Sequence, residues 1–156
     1  MAASGDHSTA GDAASDAPVW QTCGLHRFYV RDDVIYWECH GPMHLPDLLA
    51  LFDERMALQR QHGRVLVLID ANEMTGVPAE SRRYATQFEP DPPIQGTVVV
   101  FGAGLIVRTA VSLITAAARL LGRRDIRTVF FCESVEDAWA ILERERLALS
   151  TGQPPT

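Results

Sequence analysis

The sequence predicts an α/β domain built on a mixed, mostly parallel sheet of about five strands with helices packed on it. Three observations carry this expectation. The runs VLVLI (65–69), TVVVF (97–101) and TVFFC (128–132) are apolar on both pleat faces, as strands covered on both sides require. Segments with helical spacing of apolar residues separate them, and such alternation implies right-handed crossovers between parallel strands. Glycine or proline punctuates most of the junctions.

Taken in order, residues 25–30 and 34–39 are aromatic and β-branched runs separated by Arg31, Asp32 and Asp33, which reads as a hairpin. Pro46 and Asp47 suit the first turn of a helix, where a missing N–H costs nothing and negative charge meets the positive end of the dipole. Leu48, Leu49, Phe52 and Met56 continue that helix, and Gly63 stops it. After the strand at 65–69, a short polar helix is expected from Pro78 to about Phe88, ended by the prolines at 90, 92 and 93. The strand at 97–101 leads through Gly102 and Gly104 into a long helix reaching Gly122. Ser134, with Asp137 three residues on, resembles a capping box before the last helix, whose expected buried face is Ala138, Trp139, Ile141, Leu142 and Leu149. The order is ββαβαβαβα, with a domain over 19–149 between flexible tails at 1–18 and 150–156.

Composition narrows the function. Acids outnumber bases 20 to 14 for a net charge of −6, and every base is arginine. Without lysine, the usual phosphate-loop and Schiff-base chemistries are missing. The acidic balance, with no aromatics interleaving the arginines, disfavours nucleic acid. Residues 82–127 reverse the sign, carrying seven arginines against three acids. Three widely spaced cysteines suggest a reducing cytosol, and the start lacks the basic and apolar regions of a signal peptide. Residues 98–118 are long and apolar, but Gly102, Gly104 and Arg108 interrupt them, so strand plus helix is expected in place of a membrane span.

Three stretches carry a family resemblance: VIYWECHG before a helix, VLVLIDANEMTGV with an Asp closing a buried strand, and RTVFFCESVEDAWAIL with an acidic-capped, Trp-bearing helix. In this pattern the chain resembles the STAS domain, specifically its SpoIIAA-like (STAS/SEC14-like) branch, over roughly residues 25–149. The resemblance implies a bacterial signalling or regulatory domain that binds a protein partner and is not an enzyme. It also implies a phosphoacceptor serine at the start of the helix after the third strand. Here Ala79 or Glu80 takes that position, and a shift of one or two residues brings in Ser81. Glu80 would supply a fixed negative charge there. The SEC14-like relationship implies the alternative, a carrier of a lipid or small apolar ligand.

Candidate contact residues follow from chemistry. Asp70, Asn72, Glu73 and Thr75 are expected in a loop beyond the strand's carboxyl end, where open α/β sheets bind ligands. Those acceptors suit a partner's arginine, a metal or a small polar ligand; as a structural alternative, Asp70 and Asn72 tie the loop to its own backbone. An enzyme acting at Asp70 and Glu73 is a third reading. Gly102 and Gly104 resemble part of a dinucleotide fingerprint, but position 107 is Val107; an anion at that helix start, helped by Arg108, is the functional reading. Cys39, His40 and His44 have metal-ligating chemistry but lack a fourth ligand, and strand neighbours face opposite ways. No metal or cofactor is expected. Arg119, Arg123, Arg124 and Arg127 either complement a helix terminus or form a spot for an anion or acidic partner. The helix at 105–121 is apolar nearly all round, so its second face needs flanking helices, a homodimer partner, another protein or an acyl ligand.

Overall fold

The computed structural model describes residues 17–122 and 128–151. The expectations for residues 1–16 and 152–156, and for Arg123, Arg124 and Arg127, lie outside the described residues. Six strands form one sheet in sequential order: β1 (Gln21–Cys23), β2 (His26–Arg31), β3 (Val34–Pro42), β4 (Val65–Gly76), β5 (Gly96–Phe101) and β6 (Val129–Cys132). The pairs β1–β2 and β2–β3 are antiparallel, and β3 to β6 run parallel. Helices α1 (Leu45–His62), α2 (Ala79–Gln87) and α3 (Leu105–Leu120) are the crossovers, and α4 (Val135–Thr151) follows β6.

Strand alternation sorts the core into two layers. Ile35, Trp37, Val65 and Val67 face Leu51, Phe52 and Leu58 of α1, Ala85 of α2 and Ile114 of α3. Val34, Leu66, Leu68, Val99 and Phe101 face Ala138 and Leu142 of α4. Crossovers of one hand between strands added in sequence put α1, α2 and α3 on the same face. Among the described residues, α4 alone is the helix on the other face.

Local chemistry sets the boundaries. Asp47 accepts a hydrogen bond from the His44 N–H at 3.1 Å, Pro46 occupies the first turn of α1, and Gly63 closes it at φ 73°. At α4 the Ser134 hydroxyl accepts the Asp137 N–H at 3.1 Å and donates to the Asp137 carboxylate at 2.8 Å. The shorter Asp thus takes the hydroxyl, where a Glu would reach the backbone.

Three expectations need correction. The sheet has six strands because β1, three residues without an apolar run, pairs Gln21 with Phe28 at the sheet edge; nothing periodic marks it in the sequence. Strand β4 continues through Asp70–Gly76, so these residues are not a loop. There β3 supplies partners as far as Pro42, while pairing with β5 stops at Asp70, which lets polar residues face water along a one-sided extension. Helix α4 runs to Thr151, holding Ser150 and Thr151 beyond the expected end; each hydroxyl donates to a carbonyl one turn back. Among the described residues no helix is long and apolar enough to cross a membrane.

Candidate functional site

Where β5 ends and β4 continues beyond it, Asp70, Asn72 and Gly102 come together. One Asp70 carboxylate oxygen accepts the Asn72 backbone N–H at 3.0 Å and its side-chain amide at 2.8 Å, and the other accepts the Tyr36 hydroxyl at 3.5 Å. Burial first, then the Asp70 charge, pushes the Tyr36 hydroxyl above its ordinary pKa. Gly102 lies against Asn72 at φ +68°, and a Cβ there would stand 2.3 Å from the amide oxygen. Gly102→Ala should therefore cost about 1–2 kcal/mol from the left-handed backbone alone, with more from displacing Asn72. Urea denaturation measures the loss, and shifted amide resonances of Asp70 and Asn72 locate it; unchanged stability and resonances would contradict the close approach.

Glu73 lies farther along the extension, opposite His40 of β3. It lies 2.6 Å from His40 Nδ1, while His40 Nε2 lies 2.7 Å from Glu38, which also meets Arg27 at 2.9 Å. Two carboxylates facing both ring nitrogens require both to donate, the imidazolium form. The Glu73 hydrogen bond, opposed by desolvation and helped by Glu38, raises the His40 pKa. This chain joins β2, β3 and β4 on the same side of the sheet as α4. Trp20 packs edge-on to Tyr29 at 4.9 Å beside it, with the Arg27 guanidinium 4.5 Å from its ring. Cys39 points into the core on the opposite face, where burial pushes its thiol up to about 12. Both His40 nitrogens are engaged by carboxylates, and no group of His, Cys, Asp or Glu among the described residues suits a metal ion.

The remaining candidates separate. Thr75 and Glu80 are exposed, one on β4 and one in the first turn of α2. Ser81, which a register shift would bring to the phosphoacceptor position as a partner-facing residue, is 0% exposed, and its hydroxyl has no hydrogen-bond partner among the described residues; that expectation is corrected. It faces the core one turn before Ala85. Gly104 is the N-cap of α3, but Arg108 does not wait there for an anion. Its Nε donates to the Ala103 carbonyl at 2.9 Å and its terminal nitrogen pairs with Glu133. With α1, α2 and α3 all on one face, neighbouring crossovers do not diverge to open the ligand crevice of a topological switch point at Asp70.

Two concavities lie instead beside α3. Beneath it, an apolar cavity of about 110 Å³ is lined by Phe52, Val67, Val98, Val111 and Ile114, with Arg55 and Thr115 adding polar groups. Outside it, a groove of about 310 Å³ runs between α2 and α3, with Arg82, Arg83, Thr86 and Gln87 opposite Leu113, Ile114, Ala117 and Leu121. The arginine pair was legible in the sequence only as part of a basic segment. The spacing of Leu113, Ala117 and Leu121 on one helical stripe was the signal for the opposite wall.

No protein-family model matches the chain, and a search of curated proteins finds no match. A solved structure similar to it is an uncharacterized protein from the DUF3478 family with a SpoIIAA-like fold, from Shewanella loihica PV-4. It is 16% identical, with 78% of this chain and 98% of that chain covered and a TM-score of 0.42.

Proposed function

We propose that this chain is a non-enzymatic STAS-like domain that binds a protein partner through the outward side of α3 and the adjoining α2, in bacterial cytoplasmic signalling or regulation. The observation that carries this reading is the exposed apolar stripe of α3. Leu105 is 80% exposed, Ile106 74%, Leu113 62% and Leu120 89%, while the opposite side buries Val107, Ile114 and Ala118. Flanking helices do not cover that stripe among the described residues. Covering it would recover about 25 cal/mol for each Å² of apolar surface removed from water.

Photo-crosslinking in the native host tests the reading, with benzoylphenylalanine placed at Leu113 or, as control, at exposed Ala57 on α1. The expected result is a discrete protein adduct at Leu113 that is absent at Ala57 and lost in the Leu105→Asp, Leu120→Asp double variant. An adduct with a second copy would identify a homodimer. Equal adducts at both positions, or none, would overturn the proposal.

The cavity beneath α3 supports a second reading, a carrier of a small apolar ligand. At about 110 Å³ it is smaller than the ~150 Å³ cavity that accepts benzene. An acyl lipid would enter only if α3 moved off the sheet. Native mass spectrometry should then show a non-covalent adduct that disappears on denaturation; a ligand-free mass would remove this reading.

A further inference from the structure

We infer that the partner presents an acidic amphipathic helix to the groove between α2 and α3. This rests on the partner-binding reading above and names the chemistry of the occupant. The groove has an apolar wall, Leu113, Ala117 and Leu121, spaced four residues apart so that they form one ridge along α3. The other wall is Arg82 and Arg83 with Thr86 and Gln87 one turn on. Among the described residues no carboxylate lines the groove. The acid of α2, Glu80, sits in the helix's first turn outside it, and α3 carries Arg108 and Arg119 but no acid. In a chain of net charge −6, this wall has the opposite sign.

A recess between two nearly continuous helical ridges accepts the ridge of a third helix, the geometry of helix-in-groove recognition. The arginines fix the charge of that third helix. A guanidinium offers a planar fork of donors that a carboxylate fills bidentately. Arg82 is already held at the rim by a 2.6 Å hydrogen bond to the Val77 carbonyl, which lowers the ordering cost of a second bond. The pair borders a recess and does not ring a protruding apolar tip, which favours a helix over a bilayer surface. Nor does the chain's own acidic start suit the groove, because residues 2–18 contain no large apolar side chain to meet Leu113 and Leu121.

The test is selection from a displayed library of 18-residue amphipathic peptides with a fixed leucine stripe and a randomised polar face. The full chain is the bait, and the Leu113→Asp, Leu121→Asp variant serves for counter-selection. Enriched peptides are expected to be acidic and to bind the Arg82→Glu, Arg83→Glu variant at least tenfold more weakly by fluorescence anisotropy. Replacing the peptide's acids by arginine should restore affinity for that variant. Enrichment without acidic bias, or affinity indifferent to charge reversal, would overturn the acidic helix while leaving the apolar interface standing. No enrichment above the Leu113→Asp, Leu121→Asp variant would overturn both. Sedimentation with phosphatidylglycerol vesicles that depends on Arg82 and Arg83, without peptide enrichment, would reassign the face to membranes. All four positions are exposed, and circular dichroism checks that the variants fold.

Discussion

Replacing Trp37 by alanine is expected to cost about 3–5 kcal/mol, the range for emptying a buried large aromatic site. Trp37 lies at the centre of β3 with 0% exposure, paired with Phe28 of β2 on one side and Ile69 of β4 on the other. Its ring stacks on Phe28 at 4.7 Å and 10° and approaches His26 at 6.3 Å. A domain of this size has about 5–15 kcal/mol of stability in all, so the loss is a large fraction of it. The indole N–H has no hydrogen-bond partner among the described residues. Trp37→Phe therefore discards an unmet donor along with some volume and should cost less than half as much. Guanidinium denaturation followed by far-UV circular dichroism measures both. An alanine variant within about 1 kcal/mol of the parent would contradict a core built around this ring.

What the sequence made legible was whatever local periodicity dictates. VLVLI reads as a central strand because Val65 and Val67 must be apolar toward α1 while Leu66 and Leu68 must be apolar toward α4. The helix caps at Ser134 and Gly63 are likewise local, since donor and acceptor lie within one turn. Residues whose role depends on a distant element were less legible. Asp70, Asn72 and Glu73 look like loop residues until β3 extends beside them to Pro42 and gives them a ladder. Ser81 has the polarity of an exposed helix start, yet α2 turns that position inward with Ala85. For α3, composition showed that too many faces were apolar, but only the tertiary arrangement says which remains open. The groove needs α2 and α3 side by side, about thirty residues apart in sequence, so no window along the chain contains it.

A contact still more remote in sequence carries the other large expected effect: Asp33→Asn should lower stability by about 2–3 kcal/mol at neutral pH. Asp33 reads in the sequence as an ordinary turn residue, but its carboxylate is buried between two arginines. Arg64, entering β4, donates its Nε at 2.5 Å; Arg146 of α4, 113 positions away, donates to the other oxygen at 2.5 Å. Arg64 also donates to Ser150 at 2.8 Å, so one carboxylate fastens the β2–β3 turn and the entry to β4 onto the end of α4. Both arginines keep about a third of their side chains in water, which holds the expected loss below the 3–5 kcal/mol of a fully buried pair. Burial alone would raise the Asp33 pKa, but the hydrogen bonds from Arg64 and Arg146 outweigh it and hold the carboxyl below its ordinary value. A depressed folded-state pKa contributes stability that is complete above the unfolded value, about 3.9, and is lost as pH falls through the folded value. The stability gap between parent and Asp33→Asn should therefore be constant from pH 7 to 5 and shrink below about pH 4. Glu38, also held low, and His40, raised, titrate alike in both proteins and cancel from the difference. Urea midpoints at pH 7, 5 and about 3 decide it: a gap that persists undiminished into acid would place the loss in shape, not charge, and no gap at neutral pH would show that α4 is held without this carboxylate.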